Sequence, residues 1–251
     1  MSEKPPIIVV TDLIKRFGGL AATDGLTLEI ATGETHALIG PNGAGKTTLI
    51  AQLQGELSPD SGEIRFQGRD ITRDPPHRRA ALGIARSFQI TSVFPDFTAL
   101  ENVAFAVQAQ DGHGFRFWRQ SRSDPALLRP AWEALDTIGL SHRAGRLARD
   151  LSHGERRQLE LAMALAMRPS LLLLDEPMAG MGRAEGVRMT RILESLKRTY
   201  SMLLVEHDMD AVFALADRVS VLVAGRCLAT GAPAEIRENE AVREAYLGKR
   251  H

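Results

Sequence analysis

Gly40-Pro41-Asn42-Gly43-Ala44-Gly45-Lys46-Thr47 is the stretch on which the reading of this chain turns. It fits the phosphate-loop pattern of a glycine, four further residues and then Gly-Lys-Thr. The flanks suit the pattern. The apolar run at residues 37–39 reads as a strand before it, and residues 48–53, from Thr48 on, are helix-compatible after it. The glycines let successive backbone N–H groups point inward as an anion nest, and the helix start adds the positive end of its dipole. Lys46 then reaches the β- and γ-phosphates of a nucleotide, and the Thr47 hydroxyl ligates Mg2+. Such a site needs an acid at the end of a second buried strand. Leu171-Leu172-Leu173-Leu174-Asp175-Glu176 supplies it, with Asp175 holding Mg2+ through water and Glu176 placed to take a proton from the attacking water.

Working outward, residues 7–13 and 26–30 read as strands, and Ala31-Thr32-Gly33-Glu34 as a turn into the phosphate-loop strand. Residues 62–70 read as a further strand. From about Pro95 to Met167 the texture turns helical, with helix-like apolar spacing at 102–108 and 130–138. The last third alternates: strand 171–174, helix 183–199, strand 202–205, helix 209–216, then a hairpin of 219–223 with 227–229 through Gly225. That alternation predicts a mostly parallel sheet with crossover helices. The expected fold is therefore α/β.

Composition sets the outer limits. The chain has 251 residues, 44% hydrophobic and 25% charged, which is ordinary for a globular protein and excludes wholesale disorder. The 31 Lys and Arg residues balance 31 Asp and Glu, so no global basic field argues for nucleic acid. The single cysteine, Cys227, excludes an internal disulfide and fits a reducing compartment. Residues 7–10 are too short for the apolar stretch of a signal peptide, and the apolar runs 161–167 and 171–174 are broken by Arg168-Pro169. Neither approaches the ~20 apolar residues that span a bilayer. A membrane role is expected to come through a partner. The locally basic stretch at 112–124, with Phe115, Phe117 and Trp118, reads either as a solvated loop or as a contact for head groups or a partner.

Leu151-Ser152-His153-Gly154-Glu155 opens another helix-like run. Ser152 and Glu155 have capping-box spacing, which alone accounts for them. The alternative is a second anion-binding helix start, meeting a phosphate presented by another subunit. The order of motifs favours the alternative: phosphate loop, Gln89, Ser152-x-Gly154, Asp175-Glu176, and His207 after an apolar strand. In this order the chain resembles the ATP-binding subunits of ABC transporters, and the resemblance covers nearly its whole length. It implies a P-loop NTPase core with an N-terminal antiparallel β subdomain and a helical signature subdomain. The core is expected at residues 1–90 and 168–251, and the helical part at 91–167.

The resemblance also implies roles. Phe17 is similar to the aromatic that stacks on adenine, and residues Gly40 to Thr48 to the loop that wraps the phosphates. Gln89 resembles the loop glutamine at Mg2+ and the attacking water, and His207 the switch histidine at the γ-phosphate. Ser152 and Gly154 resemble the residues that close on ATP held by the opposite subunit, so two chains sandwich two ATP molecules. Two departures stand out. His153 and Glu155 replace the usual glycine and glutamine, and Gly182 replaces the usual loop aspartate, which puts communication between the two ATP sites in doubt. The segments Arg16-Phe17-Gly18-Gly19-Leu20, Pro177-Met178-Ala179-Gly180 and Arg243-Glu244-Ala245-Tyr246-Leu247-Gly248 resemble the branched-chain amino acid uptake group. Importers of urea and short-chain amides are close to it, lipopolysaccharide exporters less so. A soluble ABC ATPase on DNA or ribosomes is disfavoured by the zero net charge and the absence of a coiled-coil insertion. Implied partners are integral membrane permeases, a second ATPase subunit of the same or another kind, and an external solute-binding protein, at the cytoplasmic face of the inner membrane. Val93, Phe94 and Phe97, with Ile90, either face the permeases or fill the helical core.

Overall fold

Alternation of side chains along two short apolar strands organises the molecule. In β7 (Leu171–Asp175), Leu171 and Leu173 point to one face of the sheet, Leu172 and Leu174 to the other. In β8 (Ser201–Val205) Leu203 and Val205 take the first face, Met202 and Leu204 the second. Strands buried on both faces belong in a parallel sheet covered on both sides. The computed structural model, which describes residues 5–87, 93–110 and 124–247, has this arrangement.

Among the described residues the strands form two sheets. The central one runs β10 (Arg226–Gly231), β9 (Arg218–Val223), β3 (Thr35–Ile39), β8, β7, β6 (Ile84–Ser87). All neighbours are parallel except the β9–β10 hairpin. The second sheet is antiparallel, in the order β2 (Leu20–Ala31), β1 (Pro6–Phe17), β4 (Ser61–Phe66), β5 (Arg69–Asp70). One face of the central sheet packs with this second sheet and with α1 (Lys46–Gln54), through Leu38, Leu49, Leu171 and Leu203. The other face carries α3 (Ala99–Gln110), α4 (Pro125–Thr137), α5 (His153–Ala166) and α6 (Arg183–Leu196). A third cluster, around Val212, Val219 and Ile236, joins α7 (Met209–Leu215) and α8 (Pro233–Glu238) to β3 and β9.

Several sequence expectations shift at their boundaries. The strand expected at 62–70 is a hairpin: Gln67 and Gly68 take φ of 49° and 80°, the left-handed pair of a tight turn, and fold β5 back on β4. The helix expected from Pro130 starts at Pro125, because Asp124 caps it by accepting the Ala126 N–H at 2.9 Å. The helix from Arg183 stops at Leu196, since Arg198 leaves it at a φ of 67°. Strand β6, too short to announce itself by alternation, completes one edge of the central sheet. A buried cation that no local pattern announces sits under the phosphate-loop helix. Arg79, on α2 (Pro76–Leu82) and 1% exposed, donates through Nη1 to the Gln52 and Leu53 carbonyls at 2.6 and 2.8 Å. It satisfies the free carbonyls at the negative end of α1. Among the described residues no helix is long and apolar enough to cross a membrane.

Candidate nucleotide site

Register brings the expected residues to one edge of the sheet. Leu38 pairs with Val205 and Asp175 with Val205, so β3, β7 and β8 end level with one another. The phosphate loop leaves β3 there, Asp175-Glu176 leave β7, and Glu206-His207 leave β8. The backbone of the loop accounts for its glycines. Gly45 caps α1 at a φ of 104°, a conformation that L side chains rarely adopt, and a Cβ there would collide with the Ala22 carbonyl oxygen. A Cβ on Gly40 would collide with the Leu222 carbonyl oxygen. Asn42 and Gly43 are exposed at the rim, Pro41 is half-buried, and Ala44 is buried beneath it. The Lys46 ammonium donates to the Gly40 and Pro41 carbonyls at 2.7 and 3.0 Å, so it closes over the loop that an anion would occupy. Burial pulls it below the usual lysine range, with the Glu176 and Asp175 carboxylates acting the other way. Thr47 is exposed and Thr48 half-buried in the first turn of α1.

Asp175 is 2% exposed and accepts from Arg86 Nη2 at 2.9 Å. Burial raises its carboxyl above the ordinary value, against the pull of Arg86. Its other oxygen, Oδ1, is buried with no hydrogen-bond partner in the protein. An orphaned buried carboxylate oxygen suits a Mg2+-bound water. Among the described residues no three His, Cys, Asp or Glu side chains cluster to hold a metal. A hydroxyl at Thr47 and the free Asp175 oxygen are hard donors that would suit a cation shared with phosphate oxygens.

Glu176 turns out of the sheet at a φ of 50°, its N–H held by the Val205 carbonyl at 2.8 Å. That turn carries its carboxylate to His207, with 2.8 Å between Glu176 Oε1 and His207 Nε2. Beneath them lies Glu206, 4% exposed, a residue to which the sequence pattern assigns no role. Its two carboxylate oxygens accept the Met178 N–H at 2.9 Å and the His207 N–H at 3.0 Å. One buried acid therefore fixes both the loop after Glu176 and the turn that carries His207. Asp208 adds an ordinary helix cap, accepting from Asp210 N at 3.0 Å. The legible signal for Glu206 was an acid at a strand end beside a motif histidine.

The other expected residues stand apart from this edge or lie outside the described residues. Phe17, at the tip of the β1–β2 hairpin, is 52% exposed, with Lys15 Nζ 5.9 Å from its ring centroid. Ser152 caps α5 by accepting Glu155 N–H at 3.2 Å, and Glu155 Oε2 accepts the Ser152 N–H at 2.9 Å. The capping box is thus present. Gly154 is buried against Glu185 of α6, and both line a cavity of about 280 Å3 together with Ser152, Arg143 and Arg188. Gln89, Ile90 and the basic loop at 112–123 lie outside the described residues. Phe94 packs on Phe97 and Phe105, with centroids 4.9 Å apart in each pair, and remains 39% exposed.

Sheet order, phosphate loop and the acids at the neighbouring strand ends define a nucleotide-binding cassette of the P-loop class. Comparison with known proteins narrows this. The family model described as ABC transporter matches residues 23–179, and the model described as branched-chain amino acid ATP-binding cassette transporter matches residues 226–251. The high-affinity branched-chain amino acid transport ATP-binding protein LivG of Salmonella typhimurium is 38% identical, over 97% of this chain and 98% of that protein. Its counterpart BraF of Pseudomonas aeruginosa is 37% identical over the same shares. Among solved structures, a nucleotide-free ATP-binding cassette from an ABC transporter superposes with a TM-score of 0.85 at 28% identity, covering 98% of this chain and all of that one. The chain belongs to the ATP-binding subunits of ABC transporters.

Proposed function

We propose that this subunit binds Mg·ATP along the β3–β7–β8 edge and hydrolyses it to drive uptake of branched-chain amino acids through membrane permeases. The observation that carries the reading is the meeting of Lys46, Asp175, Glu176 and His207 at the level ends of three parallel strands. The relatives named for branched-chain amino acid transport support the substrate class, since their likeness runs over nearly the whole chain.

In the mechanism the loop N–H groups and the Lys46 ammonium neutralise the β- and γ-phosphates, and Phe17 offers its exposed ring to the base. Thr47 and Asp175, joined by Gln89 as the resemblance implies, would hold Mg2+, which would supply charge neutralisation on the phosphate oxygens. Glu176 accepts a proton from water as the water oxygen bonds to the γ-phosphorus. The bond from that phosphorus to the bridging oxygen breaks, releasing ADP and inorganic phosphate. His207 orients the Glu176 carboxylate and donates toward the γ-phosphate. Catalysis of this kind rests on positioning and electrostatics.

Two ATPase subunits, identical or different, close head to tail, with Ser152 and Gly154 of one completing the site of the other. The division at residues 91–167 makes α3, α4 and α5 the part that turns against the permeases. The exposed Phe94 and the Phe97 and Phe105 rings beside it are its docking face. The subunit is peripheral, on the cytoplasmic side, and an external binding protein delivers the solute. Deleting the gene should abolish high-affinity uptake of labelled leucine, isoleucine and valine, and the unaltered chain should restore it where Glu176→Gln does not. Loss of urea or amide uptake with leucine uptake intact would overturn the substrate class.

A further inference from the structure

One of the two departures from the usual family pattern, His153, touches the loop that holds the other, Gly182. His153 stands at the first position of α5, where the family signature usually has glycine, and its Nε2 lies 3.2 Å from the Ala179 carbonyl oxygen. A carbonyl only accepts, so Nε2 carries the hydrogen and donates. Ala179 belongs to the loop after Glu176, the loop that lacks its usual aspartate at Gly182. Gly180, at a φ of 74°, passes directly under the ring, and a Cβ there would lie 3.2 Å from Nε2. A glycine at 153 has no atom to make this bond.

The connection continues without a gap. Ala179 donates its N–H to the Glu176 carbonyl at 3.0 Å. Met178, one residue earlier, donates to buried Glu206, which also holds the His207 N–H. On the other side, Gly182 donates to Glu185 Oε2 at 3.3 Å, and the Glu185 side chain lies against Gly154. The start of α5 is therefore tied at two points, His153 and Gly154, to the six-residue stretch that follows Glu176.

We propose that His153 is a positioning residue that couples the two ATP sites of the dimer within a single chain. The proposal rests on the reading given above, in which Ser152 and Gly154 serve the partner's nucleotide while Glu176 serves the chain's own. When the start of α5 engages the partner's nucleotide, the His153–Ala179 bond passes the displacement to a loop three residues from Glu176. Glu176 sits in a left-handed conformation, a narrow well for a residue with a side chain, so a small shift changes where its carboxylate points. The hydrogen bond supplies the route between sites that an aspartate at 182 would otherwise offer.

The test uses the assembled transporter purified through this chain, and measures ATP hydrolysis against ATP concentration. The unaltered protein should give a Hill coefficient between 1 and 2, the ceiling for two sites. His153→Ala should bring it to about 1 and lower kcat about 2- to 10-fold, the range of one hydrogen bond between neutral groups. Binding of a fluorescent ATP analogue to the isolated full-length chain should stay unchanged. His153→Gln, whose amide N–H reaches the same place, should restore both the cooperativity and the rate, whereas His153→Phe should not. His153 is exposed, so these variants should melt with the unaltered chain. Three results overturn the coupling: cooperativity intact in His153→Ala, equal loss in His153→Ala and His153→Gln, or a Hill coefficient of 1 in the unaltered protein. Failure of the underlying reading looks different, as no hydrolysis by the unaltered transporter or full activity in Glu176→Gln.

Discussion

The phosphate loop and the Glu176–His207 corner lie along one sheet edge and are built in opposite ways. The loop is made of eight consecutive residues, and its working groups are backbone N–H groups with one lysine. The corner draws on two separate strand ends, those of β7 and β8, and its working groups are side chains held by other side chains: Glu176 by His207, and the turns of both by Glu206. A backbone cradle tolerates changes at its exposed positions and fails wherever a Cβ must enter. A side-chain corner tolerates nothing at its acids but leaves the nucleotide cradle intact when it fails. Binding and hydrolysis should therefore separate under mutation.

The widest separation is expected for Glu176→Gln. Hydrolysis should fall about 10²- to 10⁴-fold with loss of the proton acceptor, while binding of a fluorescent ATP analogue stays unchanged, because the loop is untouched. Loss of binding together with hydrolysis would break the comparison. Gly45→Val should do the reverse and strike the cradle. The forced left-handed φ and the collision with the Ala22 carbonyl should cost about 2–4 kcal/mol by urea unfolding and remove nucleotide binding with it.

Asp175→Asn sharpens the contrast from the corner's side. Burial holds the Asp175 carboxyl above its ordinary value, so the folded protein takes up a proton that the unfolded chain releases in that window. Stability therefore falls as pH rises through the window, and at neutral pH the ionised, partly unpartnered carboxylate is a cost. Asparagine keeps the acceptor for Arg86 and removes the charge. It should raise stability at pH 7 by about 1 kcal/mol while Mg2+-dependent hydrolysis drops. A stability loss at pH 7 would mean that the Arg86 pair outweighs the burial.

The smallest effect concerns the strand that feeds the loop. His36, fully buried on β3, bridges Glu34 Oε1 at 2.7 Å and Ser220 Oγ at 2.8 Å. Burial pushes the Glu34 carboxyl up, but the His36 and Ala31 hydrogen bonds more than offset it and hold it below its ordinary value. Its stabilisation is then complete above the unfolded carboxyl's pKa, roughly 4.3, and is lost as pH falls through the depressed folded value. Urea midpoints taken from pH 7 to 3 should fall less steeply in Glu34→Gln, by about 1–2 kcal/mol over the range. Parallel curves would remove Glu34 from the acid response.

What the sequence determined by itself follows from locality. The phosphate loop, the Ser152 cap with Glu155, and the apolar strands ending in Asp175 and Val205 are short-range patterns, so period and spacing were enough to read them. The Gln67-Gly68 turn, the start of α4 at Asp124, and strand β6 are not legible in local spacing, because each is decided by a backbone conformation, a cap or a sheet neighbour. Arg86 and Arg79 carry no local pattern at all, and Glu206 only its place at a strand end beside a motif histidine. An acid or an arginine in a sequence looks like surface until the fold buries it, and burial then makes its partners obligatory. The meeting of His153 with Ala179 is of the same kind. Twenty-six residues separate them in the chain, and only the packing of α5 against the loop after β7 brings an imidazole N–H to that carbonyl.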